Sequence, residues 1–174
     1  MQYTYYELFN DFVRSYFTSI DLKTYVVPHH HRYDIQIESL CKAKQFNIAY
    51  GSSPTEKFDQ LTFTIRINDG LDDKEQRYAL AKRLGYFLTR HITPSIIKKD
   101  KTQVGILKKN QEILANKFAK EILMPRNLLL VLLSKYAKEQ ADMERQEIFE
   151  QLSDDLCVPL EIVMQRMEEE RLLY

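Results

Sequence analysis

The feature that most restricts how this chain can fold is the strict alternation of apolar and polar residues at 61–68. The segment reads LTFTIRIN, with apolar side chains at every odd position and polar ones between them. Successive side chains of a strand point to opposite faces, so this pattern predicts a β-strand with one buried face. The Asn-Asp-Gly sequence at 68–70 favours a turn and ends the strand.

A second strand is predicted at residues 46–51, where FNIAYG also alternates. The intervening SSPTEKFD has the composition of a connecting loop, so the two strands are expected to form a hairpin and a small antiparallel sheet. Within this sheet, the segment 61–68 is expected to be an edge strand able to pair with a peptide through the residues Thr62, Thr64 and Arg66.

Most of the remaining chain has the apolar spacing of amphipathic helices. Residues 95–111 lack a clean period, contain five lysines and are interpreted as a solvated loop. The fold class is therefore α+β, mostly helical, with the small sheet packed on the helix that follows it. We expect one domain over 1–140 and a C-terminal helical segment over 141–174 that packs on it. Helices are predicted at 4–20, 34–45, 72–92, 111–124, 126–140, 142–156 and 158–173.

Composition excludes several classes of protein. Twenty-five basic residues balance twenty-five acidic ones, so the whole chain has no net attraction for nucleic acid or anionic membranes. With four glycines and no Gly-rich motif, a phosphate-binding loop is not expected. The longest apolar run, residues 128–133, is too short to span a bilayer, and the two cysteines lie far apart. These observations predict a reduced, cytoplasmic protein.

Four motifs in a fixed order carry a resemblance. They are IRIND at 65–69, RYALAKRLGYFL at 77–88, EILANKFAKEILMP at 112–125 and LSDDLCVPLEIVMQRM at 152–167. Together they resemble the ImmA/IrrE group of zinc-dependent metallopeptidase-like proteins, over roughly residues 33–170. The resemblance implies a zincin-like fold in which the helix at 74–92 is the former active-site helix. It also implies a regulatory setting, because active members act on helix-turn-helix repressors of mobile elements.

The resemblance fails where the family's chemistry resides. A zinc peptidase helix carries H-E-x-x-H, with two imidazoles one turn apart and a glutamate that acts as general base. Lys82, Arg83 and Tyr86 occupy those three positions here. Lysine has no lone pair at neutral pH, arginine stays protonated, and tyrosine ionises only near pH 10. Glu112, at the position that resembles the third ligand, remains alone, so no metal cofactor is expected.

The replacing residues suggest that an ion pair stands in place of the metal. Glu112 is expected to pair with Lys82 or Arg83 and so link the two helices, unless both cations point into solvent. Other metal candidates are weaker. The three adjacent histidines 29–31 cannot all face one ion, and His91 lies on the apolar face of its helix, where packing is the more common role.

The function inferred is that of a catalytically inactive regulatory protein that binds a protein partner, with a helix-turn-helix repressor as the candidate. The contact surfaces would be the strand at 61–68 and the cleft of Lys82, Tyr86 and Glu112. Two alternatives remain open: a zinc-dependent endopeptidase with non-standard ligands, and a DNA-binding regulator acting through residues 148–167. Direct DNA binding is disfavoured, because acids at 168–170 would repel the DNA backbone. The oligomeric state is not predicted.

Overall fold

The computed structural model describes residues 1–52, 57–59, 62–90, 101–139 and 142–172. Within these ranges the fold is α+β and mostly helical, as the sequence predicts. The elements in chain order are β1 (Tyr3–Thr4), α1 (Tyr5–Leu8), α2 (Asp11–Arg14), α3 (Ser19–Thr24), β2 (Val26–Val27), α4 (Ile37–Ala43), β3 (Asn47–Gly51), β4 (Lys57–Asp59), β5 (Thr64–Asn68), α5 (Asp73–Thr89), α6 (Lys101–Leu123), α7 (Arg126–Glu139), α8 (Arg145–Leu156) and α9 (Leu160–Glu169).

The N-terminal region is not the single helix expected over 4–20. Three short helices occupy it, and each begins at a residue whose side chain accepts a hydrogen bond from a backbone N–H three residues later, namely Thr4, Asn10 and Thr18. Such side chains favour helix starts over helix interiors, and this explains the interruptions. Of the residues with helical apolar spacing in this region, Tyr5, Phe9 and Val13 are buried, whereas Ile20 is 77% exposed.

The three-stranded sheet differs from the expected hairpin. Its order is β3-β5-β4; β3 lies parallel to β5, and only β4 is antiparallel to it. The antiparallel pairing predicted for 46–51 and 61–68 is therefore wrong. The cause is β4, a short strand inside the supposed loop, which reverses the chain before β5 enters between its two neighbours. Alternation determines which face of a strand is buried but not the direction of its partner.

Strand β5 is consequently the central strand and not an edge. Thr64 and Arg66 pair with β3 on one side and with β4 on the other, while Thr62 lies in the turn that precedes the strand. The prediction that Thr62, Thr64 and Arg66 form a peptide-binding edge is therefore wrong. Within the described part of the chain, β4 is an edge of this sheet.

Helix α5 packs directly on β5. Ile65 and Ile67 of the strand and Leu80 and Leu84 of the helix are essentially inaccessible to solvent and belong to one buried cluster. The helix begins with a capping box in which Asp72 accepts from the Glu75 N–H at 2.8 Å and Glu75 accepts from the Asp72 N–H at 3.0 Å. This start fixes the register of every residue that α5 presents to its neighbours.

Helix α6 begins at Lys101, so most of the loop predicted for 95–111 is helical. Residues 108–110 are exposed, which means that this part of the helix has no packed stripe to reveal its period. Apolar periodicity appears only from Ala115 onward, where Phe118, Ala119 and Ile122 are buried. The position of α6 beside α5 agrees with the expected arrangement of the two motif helices.

The two helices approach most closely at Gly85. A Cβ atom built there would lie 2.8 and 2.9 Å from the Phe118 side chain and 3.0 Å from the Ala115 carbonyl oxygen. These distances are shorter than normal carbon contacts, and Phe118 is fully buried and cannot move aside into solvent. Gly85 therefore determines how near α6 lies to α5.

We expect Gly85→Ala to lower the free energy of unfolding by up to about 2 kcal/mol. Overpacking typically costs about 1–3 kcal/mol, and the higher helix propensity of alanine offsets about 1 kcal/mol of that. Urea denaturation measures the change. Gly51→Ala is the control, since a Cβ at Gly51 meets nothing within 4 Å. Equal stabilities of the two variants would contradict the close approach.

The C-terminal helices are joined to the rest by one buried and one largely exposed polar contact. Arg166 of α9 donates to the Glu121 carboxylate of α6 at 2.7 Å, and Lys74 of α5 pairs with Asp154 of α8 at 2.6 Å. Residues of α8 and α9 belong to the same buried cluster as those of α5 and α6. The division at residue 140 stays a prediction. Among the described residues, no helix combines the length and apolar composition that crossing a membrane requires.

Candidate functional site

The motif positions of α5 and α6 line one cleft. Four sequence-predicted residues meet there: 82 and 83 lie on one turn of α5, 86 lies on the next, and residue 112 faces them from α6. The cleft has a volume of about 270 Å³. Its lining comprises Lys82, Arg83, Tyr86, Lys108, Glu112 and Ala115.

An ion pair crosses the cleft. Lys82 Nζ donates to Glu112 Oε1 at 3.1 Å, which is the first of the two pairings that the sequence suggests. The side chains of Lys82 and Glu112 are 32% and 63% exposed, so water screens the pair. Exposed pairs contribute about 0–1 kcal/mol to stability. The Lys82–Glu112 pair therefore contributes little to the stability of the fold. It does show that the side chains at positions 82 and 112 meet in the cleft.

Arg83 and Tyr86 complete the α5 side of the cleft, and both are half-buried. The Tyr86 ring packs edge-on against Phe87, with the ring centroids 6.0 Å apart. Lys108, which the sequence interpretation had assigned to a solvated loop, lies one turn before Glu112 on α6 and also lines the cleft. If residues 101–111 are taken as helical, the i, i+4 spacing of Lys108 and Glu112 predicts that both side chains face the same cleft.

The residues of the cleft do not fit a zinc ion. Zinc in proteins is bound by thiolate, neutral imidazole or carboxylate, and Glu112 is the single such group among the described residues that line the cleft. Its carboxylate already accepts from an ammonium, and cations surround it. Nowhere in the described ranges do three or more His, Cys, Asp or Glu side chains cluster as metal ligands would.

Comparison with known proteins agrees with the motifs and the fold. The family model described as the IrrE N-terminal-like domain matches residues 29–168. The chain belongs to this family. A search of curated proteins gave no match. The resemblance seen in the sequence is thereby confirmed at the level of the family.

One solved structure similar to this IrrE-like domain is that of a Mycobacterium tuberculosis transcriptional regulator. The TM-score is 0.57 and the sequence identity 18%, over 78% of this chain and 40% of the regulator. At this identity the likeness supports the fold alone. The domain spans about 40% of the length of the regulator.

The three histidines of this IrrE-like domain lie in an exposed turn. His29 and Arg32 exchange backbone hydrogen bonds of 2.8 and 2.9 Å, and His30 and His31 have positive φ values of 48° and 67°. The side chains therefore diverge, apart from contact between the rings of His29 and His30. His91, Lys98 and Lys99 lie outside the described residues.

A second, larger pocket of about 500 Å³ lies on the other side of α5 and includes Arg77. Arg77 is 9% exposed and donates to the carbonyls of Ile35 at 2.7 Å and Cys157 at 3.2 Å. Asp34 and Glu38 lie 3.5 and 3.6 Å from the same guanidinium. Arg77, the first residue of the family's helix motif, thus ties α5 to the 34–38 segment and to α8, and its role is structural.

Neither cysteine has the properties of a nucleophile. Burial raises the pKa of the Cys41 thiol to about 12, and burial also raises that of Cys157. Both thiols therefore stay protonated at neutral pH, when only the thiolate reacts. Cys157 lines the polar Arg77 pocket, whereas Cys41 is fully buried in the hydrophobic core.

Proposed function

We propose that this IrrE-like domain is a catalytically inactive, cytoplasmic regulatory protein that works by binding a protein partner, with a helix-turn-helix repressor of a phage or mobile element as the candidate. The observation that carries this proposal is the Lys82–Glu112 ion pair, which connects the two positions where the family's motif would place a zinc ligand. An ammonium at that point repels a divalent cation and satisfies the carboxylate that would otherwise bind it.

The neighbouring substitutions point the same way. Arg83 occupies the position of the general base and cannot accept a proton, while Tyr86 replaces the second imidazole. A metal-activated water needs both the metal and the base, and neither is provided by these side chains. The α5 and α6 helices that would carry the zinc ligands are nevertheless present and packed together. This supports a function in which the protein binds a partner and does not catalyse hydrolysis.

Edge strand β4 provides a second surface for a partner. In the part of the chain that the structure describes, β4 pairs with β5 alone, so its other side offers backbone donors and acceptors. Proteins with such edges bind extended peptides by adding a strand, a contact that needs no metal. A role in regulation is also supported by the name of the similar structure, a transcriptional regulator.

Metal analysis and a binding assay test this proposal together. Protein purified without a His-tag is incubated with excess Zn²⁺, desalted, and mixed with a purified helix-turn-helix repressor of a phage or mobile element. We expect substoichiometric zinc, an intact repressor on a denaturing gel and a stable complex in size-exclusion chromatography. Stoichiometric zinc that disappears in Glu112→Ala, or zinc-dependent cleavage of the repressor, would overturn the inactive assignment.

We do not propose DNA binding through α8 and α9. The two helices are joined by a short turn at 157–159, as in DNA-binding motifs, but exposed positions of α9 carry Glu161, Glu168 and Glu169. Its arginine, Arg166, is buried against Glu121 and is not available to a phosphate. A helix with this surface repels the DNA backbone.

A further inference from the structure

We infer that the cleft between α5 and α6 is a receptor for an acidic side chain of the protein partner. This inference rests on the proposed function, since it requires that the cleft holds no zinc. The residues that would recognise the partner's carboxylate are Lys82, Arg83 and Lys108, with the Tyr86 hydroxyl as a further donor. Replacement of the zinc ligands would then have changed what the cleft binds, from a cation to an anion.

Charge is the first argument. Among the described residues, three cationic side chains and one carboxylate line the cleft, in a chain whose total charge is zero. Glu112 pairs with Lys82, and Lys108 is exposed and has no ion-pair partner within the described residues. In a concave surface the fields of neighbouring cations add, so an anion near Lys108 is attracted by more than one of them.

Shape and donor chemistry are the second argument. A cleft of about 270 Å³ is the size of a side chain or two and not of a nucleic-acid backbone. Ala115 is buried beneath it, and the half-buried ring of Tyr86 forms a wall, so the methylene groups of a Glu or Asp side chain would contact apolar surface. Ammonium and guanidinium groups make charge-assisted hydrogen bonds to carboxylates.

Glu112 sets the selectivity of the cleft. Its carboxylate competes with any incoming anion for Lys82 and repels strongly charged groups such as phosphate. A singly charged carboxylate therefore fits better than a phosphate dianion. It follows that removing the charge of Glu112 should strengthen binding of an acidic peptide, because Lys82 is then free to contact it.

Fluorescence anisotropy with a short fluorescein-labelled peptide containing several Glu residues tests the inference, at low salt. We expect saturable binding that weakens with added NaCl, falls on the order of tenfold in Lys108→Glu, and rises several-fold in Glu112→Gln. Lys138→Glu and Glu168→Gln are matched controls, since they make the same charge changes at exposed sites on α7 and α9. In ¹⁵N NMR spectra, amides of 82–86 and 108–115 should shift.

Three outcomes would overturn the inference. The first is equal binding by a peptide with Gln in place of Glu, and the second is an equal effect of Lys108→Glu and Lys138→Glu on binding. The third is displacement of the labelled peptide by duplex DNA or polyphosphate at a lower concentration than the unlabelled peptide requires. Zinc content is measured on the same samples. If the protein contains no zinc and does not bind the acidic peptide, only the inference about the cleft is contradicted. If the protein contains stoichiometric zinc, the proposed function is contradicted.

Discussion

The triple variant Lys82→His, Arg83→Glu, Tyr86→His is expected to bind about one zinc ion per chain, whereas the unmodified protein binds almost none, since two histidines and a glutamate form a known three-ligand zinc site. The expectation follows from the observed geometry. Positions 82 and 86 lie one turn apart on α5, and the 3.1 Å contact between Lys82 and Glu112 shows that side chains from α5 and α6 meet. A zinc ion bound there could then activate water beside the carboxylate introduced at position 83.

Plasma emission spectrometry of desalted protein and a competitive zinc chelator measure the gain. Adding Glu112→Ala to the triple variant is the control, and it should remove most of the bound zinc because two imidazoles alone leave the coordination incomplete. The loss of the exposed ion pair should change stability little, so circular dichroism should report an unaltered fold. A folded triple variant that fails to bind zinc would show that 82, 86 and 112 do not form a metal site on this scaffold.

The second large effect concerns the free energy of unfolding. Arg166→Met is expected to lower the free energy of unfolding by about 3–5 kcal/mol, because the substitution leaves the Glu121 carboxylate buried and without its counter-ion. The side chains of Arg166 and Glu121 are 4% and 11% exposed, and Arg166 also donates to the Met124 carbonyl and pairs with Glu170 at 2.7 Å. Chemical denaturation measures the loss, and Tm should fall on the order of 10 °C.

Two further variants separate the buried charge from the general loss of a cation. Arg126→Met removes an arginine that is 49% exposed and should cost about 1 kcal/mol or less. Combining Arg166→Met with Glu121→Leu should recover part of the loss, because a buried apolar pair lacks the penalty of an unpaired charge. If Arg166→Met were as mild as Arg126→Met, the buried pair would not be what fastens α9 to α6.

The cleft was more predictable from the sequence than the sheet that supports it. Helical periodicity places residues 82 and 86 on one face, and the family resemblance places Glu112 opposite them; the structure shows that Lys82 pairs with Glu112. The pairing of β3 with β5 depends instead on β4, whose KFD sequence is too short and too polar to be recognised as a strand. Whether a strand lies at the edge or the centre of a sheet depends on which distant segments pair with it. The sequence pattern of β5 does not contain this information, so the prediction that β5 is an edge strand was wrong.

The start of α6 was missed for a related reason. Apolar periodicity in a sequence reveals a helix only where one face of that helix is buried. Residues 108–110 are exposed and show no such periodicity. In the N-terminal region the opposite error arose, since a continuous apolar period concealed three helix starts at Thr4, Asn10 and Thr18. In the N-terminal region the apolar pattern indicated the burial of Tyr5, Phe9 and Val13 but not the exposure of Ile20, and it did not give the helix boundaries.

The contact between Gly85 and Phe118 has a consequence for how this fold can change over evolution. The spacing of α5 and α6 is set where Gly85 meets Phe118 and the Ala115 carbonyl, whereas the four motif residues that line the cleft are half-buried or exposed. The spacing of the helices and the side-chain chemistry of the cleft therefore depend largely on different residues. Substitutions at 82, 83, 86 and 112 are expected to meet little selection from stability, so the chemistry of the cleft can change on the same scaffold without an unfolded intermediate.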